Sequence, residues 1–497
     1  MDLATLLPLL APRAVSGPTS RPVLGVGHDS RTIGANDIFV AIQGGSVDGR
    51  RFAPTLSCAA VIADGPVEVM PGVTTILVDD ARKTLALAAA ALHGHPARAL
   101  SAVGITGTNG KTTTALLLEA TMSHAGEKGL VIGTTGHRLA GRPINATHTT
   151  PEAPVLHALM AEARDASCSY AVMEVSSIGL DLRRVDAIPF NAAAFTSFSQ
   201  DHLDFHGDMT RYLAAKARLF DELLAPDGIA VLFGDDPAIS SLQVSHRPVI
   251  RYGRSDRCDV RITDAVADLD GCRATVLAFG TTLRVDTPLV GAHNLENAVC
   301  AFVLAQVLGL TASQAAAGLA AAPHVPGRLQ PVPRSSGQPR IFVDYAHTPD
   351  ALVKVLTALR PLTVGAIHTV FGCGGDRDRA KRPHMGRAVA EHSDRLTVTS
   401  DNPRSEDPLA IIAEVVAGIS AEAHSEVDRR TAIFDSVQSA GPNDVVLIAG
   451  KGHETTQTIG TQVLPFDDRL VAAEALGHSV QGPDDPSSPP TTLRDLR

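Results

Sequence analysis

A short apolar run, Ser101-Ala-Val-Gly-Ile-Thr106, leads straight into Gly107-Thr-Asn-Gly110 and then into Lys111-Thr-Thr-Thr-Ala-Leu-Leu-Leu. A buried parallel strand reads as a continuous apolar run, and the residues after Gly110 read as a helix. Strand, glycine loop and helix in that order commit the surrounding chain to an α/β layer. The usual phosphate-loop spelling is Gly, four residues, then Gly-Lys-Ser/Thr. Counting back from Gly110-Lys111-Thr112 puts Ile105 where the first Gly belongs. The chemistry survives the different spacing, because backbone N–H groups and a helix N-terminus still converge on an anion. On this reading Gly107, Thr108, Asn109 and Gly110 form the turn. Lys111 meets phosphate, Thr112 holds Mg²⁺, and Thr113 continues the helix start. The ordinary alternative is a plain strand-to-helix turn.

The same grammar recurs. "YAVMEV" precedes Ser176-Ser177, and "NAAAFTSF" precedes "SQDHLDFHG". Further on, "RIFVDY", "HTVFGCGGD", "RLTVTSDNP" and "DVVLIAGKG" each end in a polar loop. Open α/β sheets bind ligands beyond the carboxyl ends of their strands. The expected fold is therefore α/β in three domains: residues 1–95, 96–325 and 326–479, with a Pro/Ser-rich, disordered tail over 480–497. The central domain is expected to be of P-loop ATPase type with a mostly parallel sheet, and the third to be Rossmann-like. A length of 497 residues agrees with about three domains. The opening "MDLATLLPLLAPRAV" lacks a basic leader and reads as a short helix. No run of ~18 apolar residues occurs, so no membrane span is expected. A net charge of -10 argues against a nucleic-acid surface. The six cysteines form no CxxC pair, which points to a reducing cytoplasm rather than a metal ribbon or disulfide scaffold.

Three side chains stand out in the central region. Glu174 ends the strand "AVMEV", where a carboxylate facing a phosphate loop can complete a site for a hard cation; an exposed Glu is the plain alternative. His202 lies among Asp201, Asp204 and His206. Lys216, in "YLAAKARLF", falls on the same helix face as Leu213, Ala217, Phe220, Leu223 and Leu224. Either its stem snorkels, or its amine is desolvated, with a lowered pKa and nucleophilic character. Such an amine can take up CO₂ as a carbamate, an anionic ligand for Mg²⁺. In the third region Pro403 restricts Asn402 to extended backbone, after which Arg404 presents a planar fork suited to a carboxylate. A surface turn is the bland reading there.

"GTNGKTT" resembles the glycine loop of the Mur ligases and their relatives the folylpolyglutamate synthetases, and the likeness extends in order over nearly the whole chain. It implies a magnesium environment of Thr112, Glu174, His202 and a carbamylated Lys216 (N6-carboxylysine), with Lys111, Glu174, His202 and Lys216 as catalytic residues. It implies nucleotide contacts at Asn294 in "GAHNLENA", Arg328 in "VPGRL" and Asp344 in "VDYAHTPD". Ser30 in "HDSR", Thr149 and Thr150 in "HTTPE", and Ser176 and Arg184 in "MEVSSIGLDLRR" match contacts to a UDP-muramoyl peptide. Arg377, Asp401, Asn402, Pro403, Arg404, Gly450 and Glu454, from "GGDR", "DNPR" and "GKGHE", match the acceptor site of members that use meso-diaminopimelate. Gly44–Arg50 ("GGSVDGR"), Ile178 and Leu182 depart from the family's usual spelling, so two side-chain hydrogen bonds to the peptide are missing or supplied elsewhere.

The resemblance implies a cytoplasmic, monomeric ligase of peptidoglycan synthesis that uses ATP and Mg²⁺. Its substrates would be UDP-N-acetylmuramoyl-L-alanyl-D-glutamate and meso-2,6-diaminopimelate, joined through an acyl phosphate. The rival readings are a lysine-adding ligase of the same family, a folylpolyglutamate synthetase, a P-loop ATPase without an acceptor, and a catalytically dead UDP-peptide binder. The second of these would not need the "HDSR" domain, and the last would not need Lys111, Glu174, His202 and Lys216 together.

Overall fold

The structure, a computed structural model, describes residues 1–478 apart from 45, 46, 145, 147, 246, 421 and 422. The tail expected over 480–497, and Gly45 and Ser46 of the divergent loop, lie outside the described residues.

The N-terminal helix, Leu3–Leu10, forms where expected, with the Asp2 side chain capping Ala4 N–H. It packs with helix Ala81–Leu92 on a five-stranded sheet. That sheet runs Ala14–Ser16, Thr74–Leu77, Ala60–Ala63, Asp37–Ala41, Gly25–Gly27, and only its first pair is antiparallel.

The second sheet has eleven strands. At its centre Ser101–Thr106 lies between Tyr170–Glu174 and Phe190–Phe195, parallel to both. Gly129–Gly133 and Leu224–Phe233 extend this parallel core on either side. The glycine loop follows Thr106 and helix Lys111–His124 follows the loop, as the sequence pattern requires. That helix buries Leu116, Leu117 and Leu118 together because the sheet lies on one side and helix Ala292–Val307 on another; a helix covered all round needs no polar stripe. Two antiparallel additions were not expected. Val260–Asp268, Gly271–Ala278 and Thr281–Thr287 form a meander at one edge, and Gly136–Leu139 and Arg142–Ile144 extend the other. In the meander the turn Phe279-Gly280 has positive φ at both residues (+49° and +78°), the usual geometry of a two-residue hairpin loop.

Helix Met209–Asp221 carries Lys216 and is capped by Asp208. It stops short of Leu223 and Leu224, and Leu224 already opens the next strand. The apolar face expected to include those two leucines is therefore shorter, and Leu213, Lys216, Ala217 and Phe220 make it up.

The third sheet runs Gln330–Pro331, Arg340–Asp344, Val445–Ala449, Ile367–Phe371, Arg395–Thr399, His424–Glu426 and is parallel after its first pair. A fully buried ion pair braces it. Arg429, at the start of helix Arg429–Gln438, donates to both oxygens of Asp468 at 2.8 and 2.7 Å. It also donates to the Ser400 carbonyl at 3.3 Å, just past strand Arg395–Thr399, and to the Ala449 carbonyl at 3.1 Å, at the end of strand Val445–Ala449. Asp468→Ala should cost about 3–5 kcal/mol, because a guanidinium would be left buried without its anion. Arg429→Met with Asp468→Leu should cost less than the single change. Denaturant melts of the three proteins check this ordering.

Candidate active site

Three loops leave the central sheet side by side, because Thr106, Glu174 and Phe195 end adjacent parallel strands. The first is the glycine loop. Gly107 (φ +149°) and Gly110 (φ +88°) occupy backbone that side chains rarely adopt, and a Cβ at either would collide with Thr196 Oγ1 or Asn297 Oδ1. Lys111 Nζ curls back onto the Gly107 and Thr108 carbonyls, at 2.7 and 3.0 Å.

Lys216 Nζ reaches the same Gly107 oxygen at 3.1 Å and lies over the Tyr212 ring, 4.6 Å from its centroid. Two amines thus share one carbonyl, and Lys216 is only 1% exposed. Burial pushes the Lys216 amine well below the ordinary lysine range, the Lys111 charge pushes it further down, and Asp201 pulls the other way. Burial also lowers Lys111, against the pull of Glu174 and Asp201.

Glu174 is equally hidden, at 1% exposed, and its carboxylate is crowded with donors. Thr112 Oγ1 donates to Oε2 at 2.9 Å; Thr134 gives its N–H to Oε1 at 2.8 Å and its hydroxyl to Oε2 at 3.0 Å. Thr149 Oγ1 meets Thr134 Oγ1 at 3.0 Å. Thr150 Oγ1 donates to the Glu174 carbonyl at 2.8 Å and accepts from Ser176 N–H at 3.1 Å. Arg184 closes the ring, donating to the Thr150 carbonyl at 3.0 Å and pairing with Glu152 at 2.8 Å. Thr149, Thr150, Ser176 and Arg184 thus gather around Glu174. Ser30 stands apart, half-buried beyond the edge strand Gly25–Gly27.

A cavity of about 570 Å³ opens over these groups. Lys111, Thr112, Glu174 and His202 line it together with Asn294, Arg328 and Asp344. Asp344 accepts N–H bonds from Leu329 and Ala346 at 2.7 and 2.8 Å, and burial raises its pKa. Arg328 lies 5.1 Å from the Tyr345 ring centroid, with one Nη 3.5 Å from Thr112 Oγ1. Asn294 is tied to the Val290 carbonyl at 2.8 Å. His202 takes a left-handed backbone (φ +52°) at the start of helix Leu203–His206, its Nε2 3.5 Å from Asp201 Oδ2.

Among the described residues no cluster of three or more His, Cys, Asp or Glu side chains makes an all-protein metal cage. Mg²⁺ seldom needs one, since it is commonly held by one or two carboxylates and substrate phosphates. The adjacent oxygens of Thr112 and Glu174 suit that cation. Lys216 suits it only as a carbamate, because an ammonium offers no lone pair.

A second cavity, about 960 Å³, lies against the third sheet and is lined by Arg377, Asp401, Asn402, Arg404, Gly450 and Glu454. Pro403 is buried beneath it. Asn402 Nδ2 donates to Glu454 Oε2 at 2.8 Å, and Arg404 Nη1 to the Gly375 carbonyl at 2.6 Å. Sequence reasoning missed Lys451, which is fully buried and donates to Asn402 Oδ1, Glu454 Oε2 and the Thr456 carbonyl at 3.2, 3.1 and 2.6 Å. It also missed Thr134, although Thr134 follows strand Gly129–Gly133 and the strand-end rule would have found it.

Family models match this architecture in chain order: the catalytic domain of the Mur ligase family over residues 22–93, the Mur ligase middle domain over 105–305, and the Mur ligase glutamate ligase domain over 327–452. Curated relatives named UDP-N-acetylmuramoyl-L-alanyl-D-glutamate–2,6-diaminopimelate ligase are similar over almost the full length. That of Syntrophomonas wolfei is 40% identical over 491 residues, covering 97% of this chain and 100% of its own. That of Gloeobacter violaceus is 43% identical over 460 residues, covering 91% and 94%. The chain belongs to the Mur ligase family. A solved structure bearing the same ligase name superimposes with a TM-score of 0.71 at 30% identity, over 96% of this chain and 99% of that one. Folylpolyglutamate synthase of Mycobacterium tuberculosis shares the fold, with a TM-score of 0.61 at 21% identity over 80% of this chain and 96% of its own.

In this Mur ligase the two amines at Gly107 make a direct prediction. Lys111→Met removes a neighbouring positive charge, so the Lys216 amine should titrate higher than in the unmutated protein, yet still below an ordinary lysine because burial remains. NMR of methyl-labelled lysines reads both values. An unmoved Lys216 would show that the two amines do not interact.

Proposed function

We propose that this chain is the ATP- and Mg²⁺-dependent ligase that joins meso-2,6-diaminopimelate to the D-glutamate carboxylate of UDP-N-acetylmuramoyl-L-alanyl-D-glutamate in peptidoglycan synthesis. One observation carries the reading. The phosphate-loop cavity and the Arg404 cavity share a wall that includes Asp201, His202, Tyr345 and His347, so a phosphoryl donor and an amine acceptor can meet there. Residues 1–95 would bind the uridine nucleotide through Ser30, residues 96–325 the ATP, and residues 326–479 the acceptor. A UDP-linked precursor and ATP as substrates support a cytoplasmic reaction.

The chemistry is mostly positioning and charge stabilisation, as in other phosphoryl transfers. The glycine loop from Gly107 to Thr113, the helix start that follows Gly110 and the Lys111 ammonium hold the ATP phosphates, with Asn294, Arg328 and Asp344 around the nucleotide. Thr149, Thr150, Ser176 and Arg184 hold the peptide so that its carboxylate faces the γ-phosphate. The carboxylate oxygen attacks phosphorus, ADP leaves, and an acyl phosphate results. The amine of the acceptor then attacks the acyl carbon and phosphate departs. Mg²⁺, held by Thr112, Glu174, His202 and carbamylated Lys216, would neutralise charge on the transferring group.

The buried, proton-poor Lys216 amine supports carbamylation. Lys216→Ala should abolish ligation without unfolding the protein, and Lys216→Arg should not restore it, since a guanidinium forms no carbamate. Full activity in the arginine variant would rule the carbamate out.

Arg404 distinguishes the acceptor. Diaminopimelate differs from lysine by one far-end carboxylate, which a guanidinium fork matches. A charged hydrogen bond contributes about 1.5–3 kcal/mol, so diaminopimelate should be preferred by about tenfold to a hundredfold. Phosphate release with UDP-muramoyl-dipeptide, compared for diaminopimelate, lysine and no acceptor, measures this. Arg404→Ala should erase most of the preference and spare ATP binding. Equal efficiency with lysine would point to the lysine-adding reading, and release without any acceptor to a simple ATPase.

A further inference from the structure

Amide formation needs one group that no assigned residue supplies. The acceptor arrives as an ammonium, and its nitrogen has no lone pair until a proton leaves. The base must reach both the acyl phosphate and the acceptor, so it must line both cavities. The titratable side chains that do so are Asp201, His202, Tyr345, His347 and Asp350. Asp350 is paired with Lys354 at 2.7 Å. Asp201 accepts the His202 N–H at 2.9 Å and lies beside the His202 ring, and His202 is placed at the metal. A neutral phenol such as Tyr345 is no base, and burial raises its pKa further. His347 remains.

Its geometry is that of a poised base. Nδ1 lies 2.7 Å from the Tyr345 carbonyl oxygen. A carbonyl only accepts, so Nδ1 carries the hydrogen, and a neutral ring then has its lone pair on Nε2. The Tyr345 and His347 rings lie 4.5 Å apart, which limits the imidazole's swing. Lys381, from helix Lys381–His392, donates to the His347 carbonyl at 3.0 Å. Desolvation within the cleft and the Lys381 and Arg328 charges favour the neutral ring; the Tyr345 carbonyl and Asp401 oppose them.

We propose that His347 is the general base that deprotonates the acceptor amine, an assignment that rests on the ligase reading above. Nε2 takes a proton from the ammonium, and the freed nitrogen pair forms the C–N bond at the acyl carbon. The C–O bond to phosphate breaks with its electron pair. The second proton leaves the tetrahedral adduct with the departing phosphate, and the first passes from Nε2 to water.

Hydroxylamine separates this role from a structural one, because it is already neutral at neutral pH and traps an acyl phosphate as a hydroxamate. With ATP and UDP-muramoyl-dipeptide, His347→Gln should lose about a hundredfold to ten-thousandfold in diaminopimelate ligation. Its hydroxamate formation should stay within the same order of magnitude as the unmutated enzyme's, which also shows the variant is folded. The residual ligation should rise with pH as the acceptor deprotonates itself, replacing the histidine limb of the unmutated profile. Equal loss with both acceptors, or unimpaired ligation, would overturn the assignment. No hydroxamate from the unmutated enzyme would instead overturn the acyl phosphate reading and the base with it.

Discussion

The register of three central strands decides where the chemistry can be. Ile105 lies opposite Glu174 on one side and Ala194 on the other, so the chain leaves the sheet three times at one level. The glycine loop, the Glu174 loop and the loop to His202 are neighbours for that reason alone. Burial of this sheet between helices keeps the level fixed, since close-packed interiors do not slide. The Thr112–Glu174 hydrogen bond, the Lys216 reach to Gly107 and the cavity above them all follow from that single alignment.

What the sequence discloses and what it hides divide along the same line. Strand Ser101–Thr106, the helix from Lys111 and the carboxylate closing "AVMEV" are local patterns, and each is present as expected. Lys216 was legible as a lysine on an apolar face; that its amine shares the Gly107 carbonyl with Lys111 was not, because the partners are 109 residues apart. Lys451 sits inside the conspicuous "GKGHE" stretch, yet its burial and its hold on Glu454 depend on Asn402, from another strand end. The edge meander over Val260–Thr287 carried no motif, and its antiparallel course depends on tertiary pairing that periodicity does not reveal. The pattern in the chain located the loops, whereas the pairings between loops had to be observed.

Electrostatics explain why the phosphate loop is arranged as it is. Two amines on one carbonyl, one of them fully buried, would repel strongly if both were charged. Lys111 faces Glu174 and Asp201, which favour its ammonium, while Lys216 lies deeper and is driven toward the neutral amine. One residue type at two depths thus gives two amines that hold their protons unequally. Converting Lys216 to a carbamate would turn repulsion from Lys111 into attraction, so the modification relieves the crowding that makes it possible.

The third sheet solves a different problem, that of holding a polar pocket rigid on loops. Arg404 adopts left-handed backbone (φ +52°), a conformation that persists only where its surroundings enforce it. Here they do: its N–H donates to the Thr458 carbonyl at 3.1 Å, its carbonyl accepts from Gly460 N–H at 2.7 Å, and its guanidinium is tied to Gly375. Two residues on, Glu406 takes two hydrogen bonds from the buried Arg382, at 2.8 and 3.0 Å. Behind the loop, Arg429 grips the carbonyls of Ser400 and Ala449 while Asp468 balances its charge. A guanidinium meant to select a carboxylate gains discrimination only if it does not relax when the carboxylate is missing. The struts around Arg404 oppose that relaxation, so on the proposed reading an acceptor without the far carboxylate would leave the guanidinium without its anion.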